Sequence, residues 1–192
     1  MGLFTPTYRF RHVLELTPQW VEREGIAALL LDVDCTLKRY RQPRLAPEIV
    51  QWCSRLRGTG VKLCLVSNGG GGRLKPLADE IAIPLIALAM KPLPFGCLRA
   101  LRVLDVPRDR ALMVGDQLFA DVLAGRWAGV RTALVEPISP EEEPWFTRLK
   151  RPLERRLVRR LPFAAECETE PAGSFSDVLR AGRSDSPTDL AN

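Results

Sequence analysis

Two aspartates one residue apart, Asp32 and Asp34, close an apolar run that begins at Ile26 and ends at Leu31. Carboxylates at this spacing can divide a displacement between them, one attacking an electrophile while the other moves a proton. Residues two apart on an extended chain share a face, so both can converge on one ligand if the strand stays extended past Leu31. A lone pair of this kind is equally an ordinary solvated strand end, and the rest of the chain must decide. Three further places carry reactive types: Ser67-Asn68 followed by four glycines, Lys91, and Asp116 with Asp121. Taken singly, the first is a flexible turn, the second a surface lysine and the third a solvated loop. Together they are carboxylates that need a cation to coexist, and oxygen ligands with open positions suit Mg²⁺. A cation, Lys91 and backbone amides from a glycine-rich helix entry make a site for a phosphoryl group.

The elements that must position these residues follow from apolar patterning. The run before Asp32 predicts a strand buried on both faces, as in parallel sheets. Further strands are expected at Val61 to Val66, Leu85 to Leu88, Ala111 to Val114 and Thr132 to Val135. Helices are expected at Pro47 to Leu56, Arg73 to Ile81, Phe95 to Leu104 and Ala120 to Ala128. This alternation predicts a doubly wound α/β domain with a parallel five-stranded sheet. Open sheets of that kind bind ligands beyond the carboxyl ends of their strands, where every one of the reactive residues falls.

Four motifs in this order resemble the haloacid dehalogenase (HAD) superfamily of phosphotransferases: Asp32-Val33-Asp34-Cys35-Thr36, Ser67, Lys91, and Gly115 to Asp121. A closer resemblance is to the YqeG-like group of subfamily IIIA, through Lys91-Pro92-Leu93-Pro94, Val114-Gly115-Asp116-Gln117 and the arginine-rich segment Phe146 to Leu161. The resemblance implies a phosphoric monoester hydrolase in which Asp32 forms an aspartyl phosphate and Asp34 is the acid and base. It implies that Ser67, Asn68 and Lys91 hold the substrate phosphate, and that Mg²⁺ is bound by Asp32, Asp34 (through its carbonyl), Asp116 and Asp121. Cys35 departs from the family, whose members usually carry Asn there. Its side chain is expected to point away from the aspartates, leaving a thiol open to oxidation beside the site. Family members commonly insert a cap domain after the first motif or between the second and third. Here roughly thirty residues separate Asp34 from Ser67 and fewer separate Ser67 from Lys91. A helix and a strand use up each interval, so no cap is expected and the open site favours a large or surface-held substrate.

The remaining composition narrows the class. The 192 residues, 46% hydrophobic and 27% charged, predict a globular chain with one substantial domain. The single histidine, His12, makes histidine-based triads and metal clusters poor candidates, and the five scattered cysteines suggest free thiols. With no signal peptide pattern and no membrane-spanning run, a cytoplasmic location is expected, or attachment at the inner face of a membrane. The net charge of +5 points to an anionic partner. Lys38 to Arg44 forms a basic loop, read either as solvated or as gathering a phosphate-bearing substrate. The expected organisation is an arm over 1–25, a catalytic domain over 26–140, a basic amphipathic segment over 141–163 and a disordered tail over 164–192.

In the basic segment Leu149, Leu153, Leu157 and Leu161 recur four apart, and two readings stay open. The helix either lies on an anionic membrane or packs its leucines on the domain; RNA binding is a weaker third. Similarity to family members makes the favoured substrate an anionic phospholipid, phosphatidylglycerophosphate, converted to phosphatidylglycerol. The rivals are phosphatases of soluble sugar or nucleotide phosphates, and a non-catalytic RNA- or ribosome-associated protein.

Overall fold

The structure, a computed structural model, describes residues 4–142, 152–154 and 156–158. Six strands form one all-parallel sheet: β1 (Tyr8–Phe10), β2 (Ala28–Leu31), β3 (Lys62–Val66), β4 (Leu85–Ile86), β5 (Ala111–Gly115) and β6 (Arg131–Val135). Their spatial order is β1-β6-β5-β2-β3-β4. The chain therefore builds outward from β2 through β3 and β4, then returns to the other side of β2 for β5 and β6. That reversal lies at the carboxyl ends of β2 and β5, the place where doubly wound sheets leave a crevice for ligands.

Alternation along the strands sorts the core into two layers. Leu29 and Leu31 join Leu63, Leu65, Leu112 and Val114 in a cluster covered by α2 (Pro47–Gly58) and α3 (Gly71–Glu80). Ala28, Leu30, Cys64 and Met113 face the opposite way, onto α4 (Phe95–Leu104) and α5 (Leu123–Ala128). With every residue of β2 buried, the strand reads as a continuous apolar run because both of its faces are covered. The interval from Asp32 to Val61 holds a loop and α2, and that from Ser67 to Lys91 holds α3 and β4; neither contains a cap domain.

The sheet has six strands where five were expected, because the N-terminal arm supplies β1. Tyr8, Arg9 and Phe10 pair with Ala133, Leu134 and Val135 of β6. The pairing is extended by Thr7, whose N–H donates to the Thr132 carbonyl at 2.9 Å. Three residues alternating apolar and charged are too short a run to predict a strand by themselves, and the edge of β6 makes them one. Phe10 then sits in the core, edge-on to Trp20 at 5.0 Å between centroids. Trp20 lies on α1 (Pro18–Arg23), which opens with Pro18 in its first turn and is capped by Thr17 Oγ1 accepting from the Trp20 N–H.

Of the basic segment, residues 152–154 and 156–158 are helical. They dock through Glu154, whose Oε1 accepts from the Phe119 N–H at 3.0 Å, and through Val158, which packs with Leu118, Val122 and Leu134. Leu153 and Leu157 are 54% and 45% exposed, so the leucine face is not the docked one here, and the packing alternative is corrected to that extent. Leu149, Leu161, the rest of the Phe146 to Leu161 segment, Cys167 and the tail over 164–192 lie outside the described residues.

If β1 is part of the folded sheet, Phe10→Ala opens a core cavity and costs about 3–5 kcal/mol. Thermal denaturation should show the midpoint falling by on the order of ten degrees. An arm that merely rests on the surface would leave it within a degree or two.

Candidate active site

Asp32 follows β2 directly and stays extended, its N–H donating to the Val114 carbonyl at 2.9 Å. The chain then turns sharply. The N–H groups of Leu37 and Lys38 both return to the Val33 carbonyl, and Cys35 takes a left-handed backbone with φ of +65°. Asn tolerates that conformation better than most residues, which gives the family preference at this position a backbone reason. The Cys35 thiol lies against the Ser139 carbonyl at 3.6 Å and is buried. It points away from the aspartates as expected, but it is closed off from oxidants rather than open to them.

Lys91 is the hub. Its ammonium donates to Asp32 Oδ1 at 2.5 Å and to Asp121 Oδ1 at 2.6 Å, and all three side chains are buried. The backbone of Lys91 is clamped by the Asn68 side chain, which accepts from its N–H at 2.7 Å and donates to its carbonyl at 2.9 Å. In this geometry Asn68 positions Lys91, with both ends of its amide engaged. Asp121 reaches inward from a π-helical turn, Leu118–Val122, and its Oδ2 accepts from the Gln117 N–H. A Cβ on Gly115 would lie 2.2 Å from the Asp121 carboxyl carbon, so glycine is the residue that lets this carboxylate approach β5. Asp116 accepts from Thr36 Oγ1 at 3.2 Å.

One oxygen from each of Asp32, Asp116 and Asp121 falls within 4.8 Å of the others. Three buried carboxylates around one ammonium leave negative charge uncompensated, and Asp32 Oδ2 has no hydrogen-bond partner although buried. An orphaned buried oxygen beside two other carboxylates fits a divalent cation. Burial, reinforced by Asp121, pushes the Asp32 carboxyl up to about 6 against the pull of Lys91. Burial also raises Asp121. It would lower the Lys91 ammonium, but Asp121 and Asp32 outweigh it and hold the ammonium above the ordinary lysine range.

Asp34 has different company. Arg73 grips both its oxygens, at 2.9 Å and 2.5 Å, and Lys38 donates to Oδ1 at 2.8 Å. Burial would raise this carboxyl, but the bonds and charges of Arg73 and Lys38 prevail and hold it below the ordinary range. The structure brings Asp32, Lys91, Asp116 and Asp121 into direct contact or close approach, with Asp34 near enough to raise Asp32 further. Ser67 lies at the end of β3, buried, its Oγ accepting from the Gly69 N–H.

Sequence reasoning missed two of these groups. Lys38, expected in a loop either solvated or gathering substrate, is 3% exposed and turned onto Asp34. The Asp34 to Lys38 spacing of four, an ion-pair spacing, was the available signal. Arg73 carried none, because its reach to Asp34 depends on how α3 meets β2. The glycine run also has a narrower purpose than close ligand approach at every position. A Cβ on Gly69 would meet the Arg73 guanidinium at 2.7 Å, whereas Gly70 and Gly72 face open space.

Residues 6–129 match the haloacid dehalogenase-like hydrolase family. The chain belongs to that family. A relative in Bacillus subtilis, the probable phosphatase YqeG, is 30% identical over 82% of this chain and 91% of its own length. Phosphatidylglycerophosphate phosphatase 1 of Arabidopsis thaliana is 28% identical over 73% of this chain, which spans only 43% of that protein. The fold is shared with the cobalt-bound deoxy-D-mannose-octulosonate 8-phosphate phosphatase of Haemophilus influenzae. That match has a TM-score of 0.50 at 12% identity, covering 71% of this chain and 89% of the other.

Two outcomes test the geometry. Asp32 has a folded pKa raised from 3.8 to about 6, so stability is fully present below the unfolded value and lost as pH rises through the folded one. At pH 7 in chelator, Asp32→Asn removes a cost of about 3 kcal/mol at most and should raise the melting temperature by several degrees. The gain should vanish near pH 4. Gly115→Ala should lower turnover by about a hundredfold or more by displacing Asp121, with circular dichroism unchanged; normal turnover would separate Asp121 from the chemistry.

Proposed function

We propose that this hydrolase is a Mg²⁺-dependent phosphatase whose substrate is phosphatidylglycerophosphate, acting while bound peripherally to an anionic membrane. The phosphoric monoester hydrolase class follows from the family and from the carboxylate and lysine cluster at the sheet edge. The observation that carries the lipid reading is a set of exposed apolar residues that flank Lys91 in the chain. Leu88 and Met90 flank Ala89, immediately before that lysine, and both adopt left-handed backbone, with φ of +48° and +56°. They are 65% and 56% exposed, and Leu93 and Phe95 are exposed beside them. Bulky residues in left-handed conformation are uncommon, and here the backbone cost accompanies solvent-facing apolar side chains next to Lys91 in the chain. The exposed Leu153 and Leu157 add apolar surface, and the two phosphatidylglycerophosphate phosphatases among the relatives agree with the reading. No helix among the described residues is long and apolar enough to cross a membrane, so attachment would be at the surface.

On this reading Asp32 attacks phosphorus, its nucleophilic oxygen oriented by the Lys91 ammonium, and becomes the phosphorylated intermediate. Ser67 and Lys91 hold the phosphoryl oxygens. Asp32 and Asp116, with the Asp34 carbonyl, would hold Mg²⁺ and Asp121 would support its shell. When bound, the ion offsets the negative charge that gathers between phosphate and carboxylates. Asp34, ionised by Arg73 and Lys38, is prepared to take the proton of the hydrolytic water. To protonate the leaving oxygen it must first gain a proton, which requires the half-exposed Arg73 to turn from the carboxylate toward substrate.

The test is phosphate release from phosphatidylglycerophosphate in anionic vesicles, set beside a panel of soluble sugar and nucleotide phosphates. Asp32→Asn or excess EDTA should abolish release. Replacing Leu88, Met90 and Leu93 together with Ser should slow the vesicle reaction by about tenfold or more while sparing p-nitrophenyl phosphate. Faster turnover of a soluble phosphate than of the lipid, or vesicle activity indifferent to that replacement, would displace the lipid reading.

A further inference from the structure

A second feature of the sheet edge is left unused by that chemistry. A cavity of about 720 Å³ opens beyond Asp34, walled by Lys38, Tyr40, Arg41, Arg44, Arg73 and Glu80 along with apolar side chains. Its inner wall is formed by Lys38 and Arg73, the two cations that hold the Asp34 carboxylate. Asp32, Ser67, Lys91, Asp116 and Asp121 do not line it, so it is not the place of the reacting phosphoryl group. The Lys38 ammonium is fully engaged by Asp34 and by the carbonyls of Arg39 and Tyr40. Arg41 and Arg44 are not. Both are exposed, and neither guanidinium has an ion pair or hydrogen bond among the described residues. Arg41 is fixed only through its backbone N–H, which donates to Glu142.

We propose that this cavity is a subsite for a second anionic group of the substrate, a phosphodiester or phosphate borne on the alcohol that leaves. The inference rests on the reading of Asp34 as the group that faces the leaving oxygen. A leaving alcohol that passes Asp34 enters the cavity between Arg73 and the Lys38 to Arg44 loop. There it meets two unpaired guanidinium groups, whose planar donor forks match phosphate oxygens. Pro43, Pro76 and Leu77 line the same space and lower the local dielectric, which strengthens such bonds. Glu80 is the one acid in this wall, and it disfavours a third anion further along. A neutral sugar or nucleoside as leaving group would leave both arginines without partners. The class selected is a phosphomonoester whose leaving alcohol carries a second phosphate, whether free in solution or in a lipid headgroup.

The experiment is calorimetric binding to the full-length Asp32→Asn protein in Mg²⁺, which holds substrate without turning it over. The two probes are glycerol 3-phosphate, with one anionic group, and glycerophosphoglycerophosphate, the same monoester with a phosphodiester on the leaving side. The second should bind about tenfold more tightly or better. Adding Arg41→Gln and Arg44→Gln should remove that margin and leave glycerol 3-phosphate unchanged. In the protein with Asp32 intact, the same pair of substitutions should raise KM for the diester-bearing compound and spare p-nitrophenyl phosphate. The acylated lipid in detergent micelles should lose affinity in parallel with the soluble headgroup. Equal affinities for the two probes, or a margin that survives the double substitution, overturns the proposal. So does a double variant that loses only vesicle binding, which would make these arginines contacts for the bilayer. Absence of p-nitrophenyl phosphate hydrolysis in the native protein would strike at the phosphatase reading instead, since the binding comparison does not depend on turnover.

Discussion

The whole edge of the sheet depends on one electrostatic compromise, the burial of Lys91 among Asp32, Asp121 and their neighbour Asp116. No member is tolerable there alone: an isolated buried charge costs several kcal/mol, and one ammonium cannot satisfy three carboxylates. The surrounding structure is arranged to hold them regardless. Asn68 grips the Lys91 backbone at both its polar atoms, Gly115 vacates the space that Asp121 occupies, and a π-helical turn aims Asp121 inward. The buried Asp32 oxygen without a hydrogen-bond partner is the point in that compromise that fits a divalent ion. Stability is spent at this point for reactivity, the usual place for a fold to accept strain.

A second electrostatic system lies beside the first and is nearly separate from it. Asp34 belongs to Arg73 and Lys38, and the loop that carries Lys38 is latched by Ser139, whose hydroxyl accepts from the Tyr40 N–H while Ile138 donates to the Cys35 carbonyl. The two aspartates thus share a sequence motif but not an environment. One carboxyl is raised and the other lowered, and that divergence is how neighbouring groups of the same type come to hold different roles. Among the described residues no cap covers this edge, and the 38–44 loop with its arginines lies beside Arg73 and Lys38, the partners of Asp34.

Much of this was legible in the chain because it rests on local pattern. The apolar run ending at Asp32, the helical spacing of α2 and α4, and the short intervals that exclude a cap are statements about neighbouring residues. Periodicity and loop length hold whatever the rest of the fold does. The placement of Asp32, Ser67, Lys91 and Asp116 at successive strand ends followed from the same reasoning, and the resemblance to a family supplied their roles.

What tertiary structure decided were the partnerships between distant segments. Tyr8–Phe10 is a strand only because β6 offers it an edge, and Lys38 is an internal ion-pair partner only because the turn after Asp34 brings it back. Arg73 reaches Asp34 from α3, Asn68 holds Lys91 rather than open solvent, and the helical residues 152–154 and 156–158 dock by Glu154 and Val158 with Leu153 and Leu157 turned out. Composition and spacing along the chain set which side chains are present at the edge. Which of them touch is set by how α3, the loop after Asp34 and the turn that carries Asp121 pack at the sheet edge, a long-range outcome that hydrophobic burial fixes and that no local pattern encodes.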